Sequence, residues 1–272
     1  MRSRQLWTSV LWWIAAAAWI PGTASAQSAD RWQFQAAIYG YLPSIGGTTT
    51  FPPGGGGGSS VTVDSSNILD NLNFAFMGSF EAAKGPYGVY TDVVYFNLGS
   101  DRTQSRDITI GGVLPAGAAA DIHYDLKGLM WTLAGMWRAV AKPGYKLDVL
   151  AGTRMLRVDQ TLNWQLSGNV GAVGLPDRAG SRSTNQQNWD AIVGVKGRAA
   201  LGDGGRWFAP YYFDIGLGES KFTWQAIAGV GYSFGWGDLV GVWRYVDYEM
   251  KSGKPVESLN FSGPALAAVF RW

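Results

Sequence analysis

The sequence predicts an all-β fold, a transmembrane antiparallel up-and-down β-barrel of about ten strands. Three observations lead to this prediction. Apolar residues recur at every second position in one segment after another, which is the period of a strand and not of a helix. The links between these segments are alternately short and long. After Ile20 no apolar run is long enough for a membrane helix, whereas a barrel crosses a bilayer with only half of each strand apolar.

The N-terminus has the pattern of a secretory signal. Arg2 and Arg4 form a basic region, Leu6–Ile20 is apolar, and Ala24-Ser25-Ala26 is a small-x-small cleavage box. We therefore expect residues 1–26 to be a signal peptide that is cleaved after Ala26. Residues 27–272 then form the mature barrel.

Composition excludes several classes of function. The chain has 22 Lys and Arg against 20 Asp and Glu, so removal of Arg2 and Arg4 leaves a formally neutral protein. No nucleic-acid partner is expected, because such binding would lack its electrostatic basis. The chain contains no cysteine, so neither disulfides nor thiolate chemistry contributes.

The first three strand candidates flank a glycine-rich segment. Trp32–Pro43 alternates clearly and leads into Ser44–Asn71, whose glycine run lacks the lysine of a phosphate-binding loop and is interpreted as a surface loop. Leu72–Lys84 and Tyr87–Leu98 follow. The Gly85-Pro86 pair between them predicts a tight turn.

The fourth candidate, Ala120–Val140, is the longest and its facing is ambiguous. The polar residues of its first half share the parity of the apolar Leu129 and Trp131 in its second half. A bulge near Gly128 would reconcile the two halves, because one extra residue reverses the facing of everything beyond it.

The next two candidates, Lys146–Val158 and Trp189–Leu201, alternate well and are separated by a polar segment, Asp159–Asn188. Because that segment has no apolar alternation, it is interpreted as a third long loop.

The last four candidates are Trp207–Leu217, Phe222–Trp236, Leu239–Met250 and Leu259–Trp272. Phe222–Trp236 has the clearest two faces. One face carries aromatic residues at both ends and small aliphatic residues between them, and the other is polar and small. This distribution is typical of a strand whose ends meet the membrane interfaces and whose middle meets hydrocarbon.

The lengths of the links separate the two ends of the predicted barrel. Counted from the N-terminus, every even-numbered link is short: Gly85-Pro86, Ala141–Tyr145, Gly202–Arg206 and Gly237-Asp238. The odd-numbered links include the three long ones, Ser44–Asn71, Gly99–Ala119 and Asp159–Asn188. Short periplasmic turns and longer outer loops are typical of bacterial outer-membrane barrels.

Three features carry a resemblance to known proteins: the signal sequence, the strand Thr223-Trp224-Gln225…Gly229-Val230-Gly231-Tyr232, and the aromatic last residue. With these features the chain resembles the superfamily of outer-membrane β-barrel proteins of Gram-negative bacteria, including exported barrels without an assigned function. The resemblance implies residence in the outer membrane, contact with its lipid, and recognition of the last strand by the barrel-assembly machinery. The positions that match this assembly signal are Pro264, Leu266, Ala268, Phe270 and Trp272.

The alternation places seven charged residues on the inner face: Glu81, Asp92, Asp214, Arg154, Lys196, Arg198 and Arg244. Side chains just fill an eight-stranded barrel, so ten strands should be largely plugged by opposite charges that pair across the lumen. A constriction that selects ions or solutes is the alternative. Arg244 is predicted to face inward near mid-depth, and Asp247, an odd number of residues away, to lie at the outer rim.

The single histidine gives the candidate for catalysis. His123 is flanked at alternate positions by Asp121 and Asp125 near the outer rim of the fourth strand, and such a group can bind a cation or transfer protons. A rim histidine between two carboxylates is more commonly solvated surface. Omptin proteases also have ten strands, but their Asp-Asp and Asp-His pairs have no clear counterparts here, and no second His or Cys supports a metal site.

The sequence therefore predicts an integral outer-membrane protein without catalytic activity, which serves the envelope structurally or interacts with other molecules through its outer loops. No cofactor and no metal are expected, and the sequence does not specify a ligand. The alternatives are a narrow channel for small solutes or ions and a rim-located hydrolase or lipid-modifying enzyme.

Overall fold

A computed structural model of the chain describes residues 31–49, 59–63, 72–100, 119–170, 173–202, 204–254 and 256–272. The predicted signal peptide lies outside these residues. In the described part the regular structure is all β, and no helix there has the length and apolar character needed to cross a bilayer. The strands are β1 (Trp32–Tyr41), β2 (Ser44–Thr49), β3 (Ser59–Val63), β4 (Leu72–Lys84), β5 (Tyr87–Ser100), β6 (Ala119–Lys142), β7 (Tyr145–Val170), β8 (Val173–Leu201), β9 (Trp207–Gly218), β10 (Ser220–Ser233), β11 (Asp238–Met250) and β12 (Val256–Arg271).

Ten of these strands close into one antiparallel barrel, which confirms the predicted fold. From β4 to β12 each strand pairs with the next along the chain, and β1 completes the ring by pairing with both β12 and β4. The start of β1 at Trp32 and the last residue, Trp272, lie on the side of the short turns, which we call the turn end. The opposite side is called the loop end.

The strands β2 and β3 form a hairpin that is additional to the ring. β12 pairs with β1 along its second half and with β2 along its first half, where Val256–Ser262 meets Ser44–Thr49. The prediction that Ser44–Asn71 is only a loop was therefore wrong at both strands. Residues 50–58, which contain the whole glycine run, lie outside the described residues.

Glycine makes two of the turn-end connections possible. Gly85 has a φ of 60° and Gly144 a φ of 76°, a left-handed conformation that costs other residues free energy. Each lies in a link of only two residues, between β4 and β5 and between β6 and β7. Tight links of this kind suit antiparallel neighbours.

The polar segment Asp159–Asn188 was predicted to be a loop, and this was wrong. β7 and β8 continue through it as a regular ladder, for example at Asp159↔Asn185 and Asn163↔Ser181. The strands thereby reach 26 and 29 residues. Apolar alternation marks a strand only where one face is dry, so a ladder with water on its outer face lacks that signal.

The predicted bulge near Gly128 is also wrong. The register of β6 is continuous at Gly128 with both β5 and β7, and the irregularity lies between Arg138 and Val140. Gly128 instead makes room for the ring of Phe96, whose atoms would lie within 2.2–2.9 Å of an added Cβ. The described polar residues in the first half of β6 face outward, as Trp131 does. They are polar because this part of the strand extends beyond the apolar belt of the wall.

Candidate functional site

The interior of the barrel is the candidate site, because it brings together the charged residues that alternation assigned to the inner face. Strand register places all seven on that face. Five are buried (Glu81, Asp92, Arg154, Asp214 and Arg244), and Lys196 and Arg198 are half-buried. They form ion pairs with one another and with charged residues that were not predicted.

Arg154 and Asp214 form the most deeply buried ion pair. Their side chains have no exposed surface, and the guanidinium Nη2 donates to Asp214 Oδ2. The Arg154 Nε atom lies 3.3 Å from the hydroxyl of Thr132, to which it donates a second hydrogen bond. β7, β9 and β6 supply these three residues, so the ion pair joins two strands, β7 and β9, that are separated by β8 in the ring.

Arg244 is the centre of a second buried group. Its Nη2 atom donates to Asp92 Oδ2 at 2.8 Å and to Gln225 Oε1 at 3.1 Å. Its Nη1 atom donates to the hydroxyl of Tyr39 at 2.8 Å, and that hydroxyl donates to Asp92 Oδ1 at 2.6 Å. The side chains come from β11, β5, β10 and β1. We call Tyr39, Asp92, Gln225 and Arg244 the arginine layer.

Towards the turn end the interior contains a further charged group that is partly open to solvent. Lys196 pairs with Glu81, which also accepts a hydrogen bond from Gln35. Asp238 pairs with Arg271 and lies 3.5 Å from Arg198. In the same region the carboxylate of Asp148 forms ion pairs with Arg138 and Lys146.

Towards the loop end the interior is mixed, so the ion pairs that were predicted to plug the lumen do not fill this half. An apolar cluster packs there beside buried polar side chains of β7, β8 and β10, which are Gln160, Gln186, Asn188, Asp190 and Ser220. Buried apolar side chains from at least six strands pack into one cluster beyond the arginine layer. Its buried members are Tyr41, Ile45, Met77, Val94, Leu98, Met130, Leu156, Val158, Val246, Tyr248, Met250, Phe261 and Ala265. The inward parity was predicted correctly for most of these strands, but parity gives the face of a residue and not the polarity of that face.

Two cavities inside the barrel lie on either side of the arginine layer. One, of about 200 Å³, lies among the turn-end charges and reaches Asp92 and Arg244. The other, of about 210 Å³, lies among the apolar side chains of the loop half, with Met77, Met130 and Leu156 in its wall. Tyr39 lines both, so the arginine layer is the partition between a charged chamber and an apolar one.

The outer surface is apolar at mid-height. Large apolar side chains such as Val193, Ile215 and Val230 are exposed there on the outward parity of their strands. A belt of this kind around a charged interior is stable only where the surroundings are hydrocarbon, because exposed apolar surface in water is costly.

Aromatic side chains border this apolar belt on both sides. The turn-end girdle contains Trp32, Phe34, Phe80, Trp207, Tyr232, Trp236, Phe270 and Trp272, and the loop-end girdle contains Phe74, Tyr95, Trp131, Trp189, Trp224 and Tyr245. On β10 the two girdles are separated by the stretch from Trp224 to Tyr232, which is roughly 26 Å along the strand at about 3.3 Å per residue, or about 20 Å along the axis of a barrel whose strands are tilted by about 40°. An apolar band of this order, about 25 Å tall, between aromatic girdles is typical of a transmembrane β-barrel.

The chain is an outer-membrane-type β-barrel. No protein-family model matches it, and no curated protein matches its sequence. Among solved structures, it is similar to the outer membrane protease OmpT from Escherichia coli, with 8% identity over 89% of this chain and 96% of the other, at a TM-score of 0.49. The translocator domain of the autotransporter NalP from Neisseria meningitidis shares 15% identity over 87% of each chain, at a TM-score of 0.31. The Pseudomonas putida toluene transporter TodX shares 9% over 89% of each chain, with a TM-score of 0.31. No activity follows from likenesses of this size.

The five assembly-signal positions lie on the outer face of the last strand, from Pro264 at mid-height to Trp272 at the turn end. Leu266, Phe270 and Trp272 are exposed there, and Ala268 is half-buried between them. The ring of Trp272 stacks on that of Phe34 with centroids 5.9 Å apart, and its backbone exchanges hydrogen bonds with the backbone of Phe34. The last residue therefore participates in closing the ring.

The predicted rim cluster faces outward, away from the lumen. His123 and Asp125 are exposed on β6, opposite Asn163 and Thr161 of β7. The side chain of Asp121 lies outside the described part of the structure. Among described residues no group of three His, Cys, Asp or Glu side chains is arranged to hold a metal ion. Asp247 has the outward parity predicted for it and is half-buried.

Several interior residues were not predicted from the sequence. Asp238 was assigned to a turn, yet it is the first residue of β11 and is 1% exposed. It shares the parity of Arg244, which is the signal that could have identified it. Tyr39 and Gln225 were likewise on the inner parity and were passed over because they carry no charge.

Proposed function

We propose that the protein is a non-conducting and non-catalytic outer-membrane barrel that serves the cell envelope through the surface at its loop end. The observation that carries the proposal is the closure of the lumen at mid-depth. There the arginine layer crosses the interior and the Arg154–Asp214 pair lies beside it, and the side chains of the two ion pairs are at most 4% exposed. A conducting pore requires a continuous wet path, and ions do not pass through side chains packed without exposed surface.

The second support is the extension of β6, β7 and β8 beyond the loop-end girdle. From Trp189 to the start of β8 at Val173 is roughly 50 Å of strand at about 3.3 Å per residue. The outward side chains that the structure describes on this extension, such as Asp125, Asp159, Asn163, Ser181 and Asn185, are polar, and several of them form hydrogen bonds with one another. Asp159 accepts from Arg157 and Asn185, and Ser181 donates to Asn163.

Such an extension is a large polar surface held rigid by a backbone ladder. In barrels of this class the long loops face outward and the short turns face the periplasm. On this orientation the β7–β8 hairpin stands outside the cell, where it is available for contact with other molecules of the envelope or with surfaces.

Planar-bilayer recording tests the closed lumen. The purified protein should give no steady conductance steps, while a general porin added afterwards to the same bilayer should give them and so prove the sensitivity of the recording. Steady steps from the protein itself, altered by Arg244→Gln, would contradict the proposal and favour a narrow channel.

Cysteine labelling tests the orientation, and the natural chain is a clean background because it has no cysteine. Ser183→Cys lies on the exposed hairpin, and Gly204→Cys lies in the turn-end link, where an added Cβ meets nothing within 4 Å. A membrane-impermeant maleimide should label the first variant on intact cells and the second only after the outer membrane is permeabilised. The reverse pattern would refute the outward placement of the hairpin.

The enzyme alternative has its own test. A hydrolytic or acyl-transfer activity in the purified protein that disappears in His123→Ala, with folding unchanged, would overturn the non-catalytic role. We expect no such activity, because His123 is exposed and faces away from both cavities.

A further inference from the structure

The barrel wall has a seam on the loop side of Ile38. The ladder between β1 and β4 runs from Trp32↔Lys84 to Ile38↔Gly78. Beyond it, β1 stays paired with β12 but no longer with β4. The main-chain N–H of Tyr41 donates to Met77 Sδ, at 3.2 Å, instead of to a β4 carbonyl. We define the seam as the line between residues 39–41 and residues 72–77.

The apolar cavity lies directly behind this seam. Its wall contains both edges of the seam and the neighbouring inward side chains: Tyr39, Gly40, Tyr41, Leu42, Pro43, Ile45, Leu72, Ala75, Met77, Val94, Phe96, Leu129, Met130, Leu156 and Phe261. The two tyrosine hydroxyls already donate elsewhere, Tyr39 to Asp92 at 2.6 Å and Tyr41 to the carbonyl of Arg244 at 3.2 Å. An apolar cavity of this kind offers a water molecule too few partners.

The volume indicates the size of molecule that the cavity suits. It measures about 210 Å³, whereas an apolar cavity of about 150 Å³ lined by Leu, Ile and Phe in another protein stays dry and binds benzene. We propose that this cavity binds a small apolar molecule, of the size of one or two aromatic rings or an equivalent length of hydrocarbon chain, which enters from the bilayer through the seam. The proposal goes beyond the envelope role and does not rest on it.

The route through the seam follows from what surrounds the cavity. Gly40 lies in its wall on the outward face, and a Cβ added there would meet nothing within 4 Å. The neighbouring outward side chains are Ile38, Phe74 and Phe76, and all three are more than half exposed at the lipid-facing surface. From the turn end, by contrast, an apolar molecule would have to break the arginine layer. A hydrocarbon molecule can therefore reach the apolar cavity directly from the membrane, whereas the arginine layer blocks its way from the charged chamber.

Photolabelling in nanodiscs tests the binding. The probe is a trifluoromethyl phenyldiazirine, a small apolar compound that partitions into the bilayer and on illumination inserts into what it touches. Mass spectrometry should find label on inward-facing Met77, Met130 and Leu156 as well as on lipid-facing residues such as Phe213 and Val230. Excess toluene should reduce the inward labels and leave the lipid-facing ones unchanged.

Two variants separate a bound probe from chance contact. Ala75→Phe adds a ring inside the cavity and should lower the inward labels roughly ten-fold, the equilibrium effect of about 1.4 kcal/mol, with no change at Phe213. The matched control, Ala82→Phe, adds the same ring on the outward face of the same strand and should leave the inward labels intact. Gly40→Val, for which there is open space, should slow the inward labelling by narrowing the seam.

A second probe identifies the source of the ligand. A phospholipid with a diazirine on its acyl chain labels the same inward residues if a lipid chain occupies the cavity, and fails to label them if only a free hydrocarbon enters. Labels confined to lipid-facing residues with both probes would overturn the proposal. Inward labels unaffected by Ala75→Phe and by toluene would overturn it equally, and heat-modifiable migration in gels shows that each variant is folded.

Discussion

The two halves of the lumen differ in chemistry although one set of strands builds both. On the turn side of the arginine layer, inward positions carry Glu81, Asp148 and Lys196, and several of the basic side chains there are partly exposed. On the loop side β4, β5 and β7 present Met77, Val94 and Leu156, which are buried in the apolar cluster, whereas β8 presents the buried amides of Gln186 and Asn188. Alternation thus separates inside from outside along the whole strand. Whether the inside is charged or apolar changes along the axis.

Charged residues on the inner face of a narrow barrel therefore do not by themselves make it a channel. The arginine layer divides the lumen into a chamber that can exchange with water at the turn end and a chamber bordered by hydrocarbon. A fully buried ion pair has lost its hydration, so only the attraction between well-placed partners compensates for the lost water. Removal of one partner leaves the charge of the other buried without compensation. The partition and the Arg154–Asp214 pair beside it are accordingly the parts of the molecule where substitution should have the largest effect.

The largest effect should come from Arg154→Ala. It leaves the carboxylate of Asp214 buried without its counter-ion, so the free energy of unfolding should fall by about 3–5 kcal/mol. Urea unfolding in lipid vesicles measures this. The double substitution Arg154→Met and Asp214→Leu should recover most of the loss, because it removes both charges and keeps the volume; if the double variant is as unstable as Arg154→Ala, the ion pair is not the cause.

Next in size is Leu156→Ala in the apolar half. Leu156 is 3% exposed, and its truncation should lower the free energy of unfolding by about 2–5 kcal/mol through lost contacts and a larger cavity. Leu217→Ala, on the lipid-facing side of β9, is the matched control. Its loss should be smaller because lipid chains fill the space, and equal losses in the two variants would show that the loop half is not packed as a core.

Trp272→Ala should act on assembly more than on packing. Its ring joins the turn-end girdle and its backbone helps to close the ring, so the amount of folded barrel in the outer-membrane fraction should fall several-fold. Trp243→Ala, an equally exposed lipid-facing tryptophan towards the loop end, serves as control. Similar falls in both variants would argue against a special role for the last residue.

The smallest effect should come from Arg198→Ala in the charged half. Arg198 is 30% exposed and lies 3.5 Å from Asp238, which keeps Arg271 as a partner. A loss of about 1 kcal/mol or less, reduced further by salt, is expected in the same unfolding assay. A loss as large as that of Arg154→Ala would mean that the two halves of the lumen do not differ in solvation.

Sequence alone predicted the ring and much of its facing. The bounds of Leu72–Lys84 agree with β4, and the inner parity of Arg154, Asp214 and Arg244 follows from the dry outer face of their strands. Apolar residues on that face give the period-two pattern, so strands are predicted correctly wherever their outer face contacts lipid. Where both sides of a ladder are wet, as at Asp159–Asn188, the signal disappears and the strands were missed.

Two other features were beyond sequence reasoning for a different reason. The pairing of Arg244 with Asp92 and the seam beside Tyr41 depend on which strands meet across or around the ring. The two partners in such contacts lie far apart in the chain, so no local pattern records them. The apolar cluster of the loop half was missed because only charged residues were singled out on the inner parity, although Met77, Val94 and Leu156 lie on the same parity.

Gly263 on β12 has a consequence for the completeness of the ring. At this residue the chain that leaves β1 crosses over to β2, and a Cβ on Gly263 would lie 2.2 Å from the carbonyl oxygen of Leu42 and 2.7 Å from Cα of Pro43. Because Gly263 has no side chain, the chain can leave β1 and cross to β2 before it reaches the loop end. The gap in the wall therefore depends on a single glycine, since any larger residue at this position would displace the backbone of Leu42 and Pro43.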